Sequence, residues 1–291
     1  MRRLWKTLLT LLLILSLPAA GLADVVAVSF YPIELIALNL CDGLEGVEVR
    51  SIAAPGTGCL HDYQLSAGDM RSLAEADVFL INGAGMESYL AHVMEALPEL
   101  PVVDASAGIE LLPSASGETP WNAHIWLSPR NAAQMAENLA GGLCEALPAH
   151  AGRIRDNLAD FTARMNALDA ELRDGLADLP HRDIVTFHEA FPYFAKAYDL
   201  NVVAVVALEP DDALSPRQLA ALVETVRGAG NPPLFTEPQY TDMAANAVSA
   251  ETGAAVWELD PCVTGPESDI PLTYYEDVMR RNLQTLREAL S

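Results

Sequence analysis

The sequence predicts an α/β protein of two lobes, each a mostly parallel four-stranded sheet flanked by helices, joined by one long rigid helix. Three features of the chain predict it. Short apolar runs alternate with helix-like segments along nearly the whole length, the runs are too apolar to leave one face wet, and the alternation is interrupted once, near the middle, by a single long apolar stripe of helical period.

The first residues stand apart from this pattern. MRRLWK is basic, residues 8–17 are an apolar run and LPAAGLA supplies small residues, together the form of a secretory signal over residues 1–23, cleaved near Ala23. The run is shorter than the roughly 20 apolar residues that a membrane-spanning helix needs. No cysteine stands at the cleavage point, so no lipid anchor is expected and the mature chain is placed in a periplasmic, envelope or extracellular space. Loss of Arg2, Arg3 and Lys6 with the signal takes the formal charge from −23 to −26. So acidic a chain argues against nucleic acid and anionic membrane surfaces as partners, since both need basic patches.

Residues 24–150 carry the first lobe. VVAVS at 25–29 precedes the helix-like YPIELIALNL, and VEVRSI at 47–52 precedes a loop holding His61. Ser66, with Asp69 three residues on, reads as a capping box that opens a short helix. VFLI at 78–81 leads through Gly83 and Gly85 into MESYLAHVMEAL, and VVD at 102–104 precedes a loop rich in Pro, Ser and Gly. HIWLSPRN at 124–131 then begins a helix reaching about residue 147.

Residues 151–180 are the link. Ile154, Leu158, Phe161, Met165, Leu168, Leu172 and Leu176 recur by threes and fours, and the stripe ends at Pro180. A helix of roughly 27 residues is about 40 Å long, more than a crossover inside a small sheet requires. It suits a brace between lobes. Residues 181–291 repeat the first pattern: DIVTF before HEAFPYFAKAYDL, VVAVV before LEPDDALSPRQ and a helix at 215–227, LFTEP before a helix at 243–250, AAVWELDP, and a closing amphipathic helix.

His61 follows the second strand, His124 the fourth, His188 the fifth and Asp260 the eighth, so the four are placed past strand carboxyl ends, where open α/β sheets bind ligands. Two come from each lobe. If the lobes face each other these residues converge, and three imidazoles with one carboxylate match a tetrahedral zinc site. His92, His150 and His181 lack that placement and read as surface residues.

The stretches HDYQLSAGDMRSLAEADVFLINGAGME, HIWLSPRNAAQMAENLA, FHEAFPYFAKAYDL, FTEPQY and ETGAAVWELDP, in that order, resemble the successive signatures of the metal-binding proteins of zinc and manganese ABC importers. The resemblance implies two α/β lobes bridged by a long helix, one Zn2+ per chain held between them, and a membrane permease that accepts it. Its ligands correspond to His61, His124, His188 and Asp260. A histidine in the third place resembles the zinc members, where manganese members have glutamate; Mn2+ or iron is the alternative cargo. Glu189 and Glu237 are candidates for orienting ligand N–H groups, or are ordinary loop carboxylates.

Two departures from the pattern matter. Asn122-Ala123 stands where Asp-Pro is usual, which changes loop stiffness and removes a nearby charge, and no histidine-rich tract precedes His124. With the resemblance in place, Cys59 lies two residues before one ligand and Cys262 two residues after another, so a Cys59–Cys262 disulfide is expected; in a rival reading one of them is a soft metal ligand. Cys41 and Cys144 either pair or remain thiols. Four protein ligands hold a metal rather than react with it, and neither H-E-x-x-H nor G-x-S-x-G occurs. The reading is a monomeric binding protein, not an enzyme, with a zinc hydrolase and an adhesin as the rival classes. The long helix should restrict motion on binding to loops and modest lobe shifts.

Overall fold

The computed structural model describes residues 23–58, 60, 63–115, 119–206 and 215–291; residues 1–22, where the signal is expected, Cys59, His61 and the acidic stretch 207–214 lie outside the described residues. The first lobe comprises β1 (Asp24–Val28), α1 (Tyr31–Leu40), β2 (Val47–Ser51), α2 (Ala67–Ala74), β3 (Val78–Ile81), α3 (Leu90–Ala96), β4 (Val102–Asp104) and α4 (Pro129–Ala146). The long helix is α5 (Ala151–Leu176). Beyond it come β5 (Asp183–Thr186), α6 (Pro192–Tyr198), β6 (Asn201–Val205), α7 (Pro216–Gly228), β7 (Leu234–Thr236), α8 (Met243–Thr252), β8 (Val256–Glu258) and α9 (Tyr274–Ala289).

The strands form two sheets in the orders β2-β1-β3-β4 and β6-β5-β7-β8, and every pairing is parallel. The second sheet thus repeats the topology of the first. All of β3 and β7 is buried, which is why their sequences show no polar alternation. At the start of α2 the Ser66 side chain accepts from Gly68 and Asp69 N–H groups while Asp69 accepts from Ser66 N at 2.6 Å, the expected capping box.

One apolar core runs from the first sheet through α4 and α5 to α6 and α9, and a second lies among β5, β7, α7 and α8. The lobes therefore share a core rather than meet as separate bodies. Polar bonds fix α5 in it. Asn157 Nδ2 donates to the carbonyls of Leu40 and Asp42, both at 2.9 Å, and Arg164 bonds Asn39 of α1 and the buried Glu276 of α9. Asp169 accepts from Arg130 of α4 at 2.7 Å and from Tyr198 of α6 at 3.2 Å.

Helix α3 starts at Leu90, four residues later than the apolar pattern suggests. Glu87 is the reason. Its carboxylate folds back and accepts from the N–H groups of Asn82 at 2.8 Å and Gly83 at 3.1 Å, so the chain turns before it can coil. Gly83 has φ +77°, and a Cβ there would lie 1.8 Å from Asp104 Oδ1, so only glycine fits. Burial raises the Glu87 carboxyl to about 7, against the opposing pull of those N–H groups. A carboxyl whose folded pKa is raised favours the fold while protonated, so this contribution is present below about pH 4.5 and is lost as the pH rises through about 7. Denaturation of the metal-free protein across that window should show stability falling by about 3 kcal/mol from this group, and Glu87→Gln should flatten the fall. An unchanged pH slope in the variant would contradict the assignment.

Candidate metal centre

Each sheet reverses its strand order at one point, and that is where an open parallel sheet can hold a ligand beyond its strand ends. In the second sheet the point lies between β5 and β7. β5 ends at Thr186, two residues before His188, and β7 ends at Thr236, directly before Glu237. The two side chains meet there: His188 Nδ1 lies 3.1 Å from both carboxylate oxygens of Glu237. A carboxylate can only accept, so this contact puts a proton on Nδ1 of His188, and the neutral ring then keeps its lone pair on Nε2. Gln239 Nε2 donates to Glu237 at 2.6 Å and holds the carboxylate in place.

In the first sheet the equivalent point, between β1 and β3, is occupied by the Glu87 turn. His124 reaches the cleft by another route. It stands twenty residues beyond Asp104, the end of β4, not just past a strand end as the sequence placed it. The intervening loop doubles back through a Pro113–Trp121 bridge and an Asn122 N–H to Leu112 carbonyl bond of 2.8 Å. His124 then leads into a short 3-10 turn, Ile125–Leu127, and is 2 % exposed. Its ring meets that of His188 edge-on, with centroids 4.8 Å apart and planes at 83°. One imidazole from each lobe thus arrives at the same place.

The lobes are stitched around this pair. Trp126 packs edge-on against Phe30 at 5.3 Å, its Nε1 donates to the carbonyl of Pro261 at 2.8 Å, and its own carbonyl accepts from Tyr275 Oη at 2.6 Å. Tyr193 Oη accepts from Leu112 N and donates to the Asn122 carbonyl, at 2.9 and 2.8 Å. Glu189, expected to orient a ligand imidazole or to be an ordinary loop carboxylate, accepts from Ser114 Oγ at 2.8 Å and Ala115 N at 2.5 Å, so among the described residues it anchors the loop that precedes His124.

Asp260 follows β8 by two residues. Asn282 of α9 clamps its main chain reciprocally, Oδ1 accepting from Asp260 N at 2.9 Å and Nδ2 donating to its carbonyl at 2.8 Å. Burial raises the Asp260 carboxyl above its usual range, with the charges of Glu258 and Glu237 adding to the rise while the Cys262 N–H and Arg281 oppose it. The Arg281 guanidinium is 3.8 Å away. A carboxylate held in this environment gains from an added cation.

Among the described residues no group of three or more His, Cys, Asp or Glu side chains is gathered closely enough to hold a metal ion. The fourth expected ligand, His61, lies outside them. His92 and His181 are exposed, and His150 is half-buried at 4.0 Å from Asp24. The sequence did not mark Trp126 or Asn282 for any role: the first reads as an ordinary apolar residue and the second as a polar residue in an amphipathic helix.

The family described as ZnuA, zinc-uptake complex component A periplasmic, matches residues 26–289. The chain belongs to this family. Its curated relatives include the iron-binding protein YfeA of Yersinia pestis, 34 % identical over 233 residues, 79 % of this chain and 74 % of YfeA. The high-affinity zinc uptake system protein ZnuA of Haemophilus ducreyi is 29 % identical over 285 residues, 88 % of this chain and 90 % of that one. Among solved structures, a crystal structure of ZnuA superposes with a TM-score of 0.78 at 27 % identity, covering 92 % of this chain and all of that one. The two-lobe architecture is shared with these ZnuA structures.

Cys41, Cys144 and Cys262 are free thiols. Cys262, expected to pair with Cys59, is fully buried in the shared core, at φ +60°, with its N–H bonded to Asp260 Oδ1 at 2.7 Å, while Cys59 lies outside the described residues. Burial, then the Asp260 charge, raises its thiol well above the ordinary value. Since the thiolate is the reactive form, Cys262 should resist iodoacetamide in the native protein and react on unfolding. Non-reducing peptide mapping checks this; recovery of a Cys59–Cys262 peptide would contradict the free thiol.

Proposed function

We propose that this protein is the extracytoplasmic zinc-capturing component of an ABC-type importer, binding one Zn2+ through His61, His124, His188 and Asp260 and delivering it to a membrane permease. The observation that carries the reading is the 4.8 Å contact between the His124 and His188 rings, one from each lobe. The Glu237 carboxylate on Nδ1 of His188 leaves that ring's lone pair on Nε2, as a metal ligand requires. Membership of the zinc-uptake family supports the cargo, and imidazole-rich donors favour zinc over the harder manganese ion. The iron-binding name of YfeA keeps a harder cation as the second reading.

The binding role, rather than catalysis, follows from the family and from four protein ligands that leave no coordination position for reactive water. The basic and apolar leader supports export with cleavage near Ala23, and the lack of a cysteine there supports an unanchored mature chain. Among the described residues, no helix is long and apolar enough to cross a membrane. The acidic balance of the chain, −23 overall, argues against nucleic acid as a partner, and the chain is read as a monomer.

Binding releases protons and water as the ligands close on the ion. Competition with a zinc chelator should give about one Zn2+ per chain. Glu237→Gln, which leaves His188 with a neutral partner, should weaken zinc by about 10–100-fold, and His188→Ala by more. His188→Glu should move preference toward manganese. A wild-type protein that retains no zinc near unit stoichiometry, or a His124→Ala variant of unchanged affinity, overturns the reading.

A further inference from the structure

The two imidazoles at the cleft are backed by different chemistry. His188 has the Glu237 carboxylate on Nδ1 at 3.1 Å; His124 has the Asn122 side-chain amide, with Oδ1 3.3 Å from Nδ1. Asn122 is 2 % exposed and both ends of its amide are engaged. Nδ2 donates to the carbonyl of Glu189 at 2.7 Å, and Oδ1 accepts from the His124 main-chain N–H at 3.0 Å. Turning the amide over would set oxygen against carbonyl oxygen and N–H against N–H, so its orientation is fixed by these two bonds. Oδ1 therefore faces the ring, and an attractive contact there requires the proton on Nδ1 and the lone pair on Nε2.

We propose that Asn122 is the positioning residue that locks His124 in the Nδ1–H tautomer and, because its acceptor is uncharged, holds the protein's zinc affinity below the value a carboxylate at that position would give. A carboxylate on the distal N–H makes an imidazole a stronger donor, and an amide oxygen does so less. The site then pairs one strongly supported histidine with one weakly supported histidine. A weaker donor on one lobe eases surrender of the ion to an acceptor. The inference rests on the zinc reading for its affinity half; its tautomer half stands on the metal-free protein.

The experiment uses the full mature chain and three forms, wild type, Asn122→Ala and Asn122→Asp. Long-range 1H–15N correlation on the metal-free protein reports each imidazole's tautomer. Wild type should show His124 protonated on Nδ1, and Asn122→Ala should show that preference lost. In chelator competition with zinc, Asn122→Ala should bind about 10–100-fold more weakly, while Asn122→Asp, which puts a carboxylate on Nδ1–H, should bind more tightly than wild type; equal affinity overturns the affinity half of the proposal. If Asn122 acts only by joining the lobes through Nδ2, Asn122→Asp fails as badly as Asn122→Ala, because a carboxylate cannot donate to the Glu189 carbonyl; that result overturns the proposal. So does a wild-type His124 protonated on Nε2, which needs no variant to fold. Absence of zinc binding by wild type would instead sink the proposed function and leave the tautomer result to decide this one.

Discussion

The structure depends on Trp126. It lies between the lobes at 1 % exposure, edge-on to Phe30 of the first, bonded to the Pro261 carbonyl and Tyr275 hydroxyl of the second, two residues from His124, and its Pro261 partner is next to Asp260. Truncating a buried aromatic residue of this size costs about 3–5 kcal/mol. Whole domains are stable by only about 5–15 kcal/mol, so separating the lobes at this seam would consume much of the fold's stability. The seam is therefore a fixed feature of the native state, and the two candidate ligands beside it inherit its geometry.

That rigidity extends along the long axis. α5 is bonded through Asn157, Arg164 and Asp169 to α1, α4, α6 and α9, so the brace belongs to both lobes at once and cannot serve as a free hinge. The sheets repeat one topology, yet their reversal points have diverged. One holds the His188–Glu237 pair; the other is filled by the buried Glu87 turn, which also sets Asn82 to donate to the carbonyl of Ala123 at 2.9 Å, next to His124. The first lobe thus supports its ligand from behind and delivers it on a long loop.

Much of this was legible in the sequence. β3 and β4 match their apolar runs residue for residue, and the remaining strands differ only at their ends. The long stripe gave α5, and Ser66 with Asp69 gave the start of α2. The start of α3 was misplaced because Glu87 spends its side chain on the backbone of residues 82 and 83, a tertiary choice that no periodicity records. The site was legible in part. His188 and Glu237 fall at adjacent strand ends, so spacing could pair them. The attachment of His124 was not, since its loop is placed by Tyr193, Glu189 and Asn122 across 67 to 81 positions of sequence.

A capture site built on a fixed seam should change little in overall shape when filled. Small-angle scattering of the mature protein, stripped of metal and then loaded with zinc, tests this directly. The account predicts the same radius of gyration within measurement error for both. A clear contraction on loading, as two lobes swinging shut would give, would contradict it.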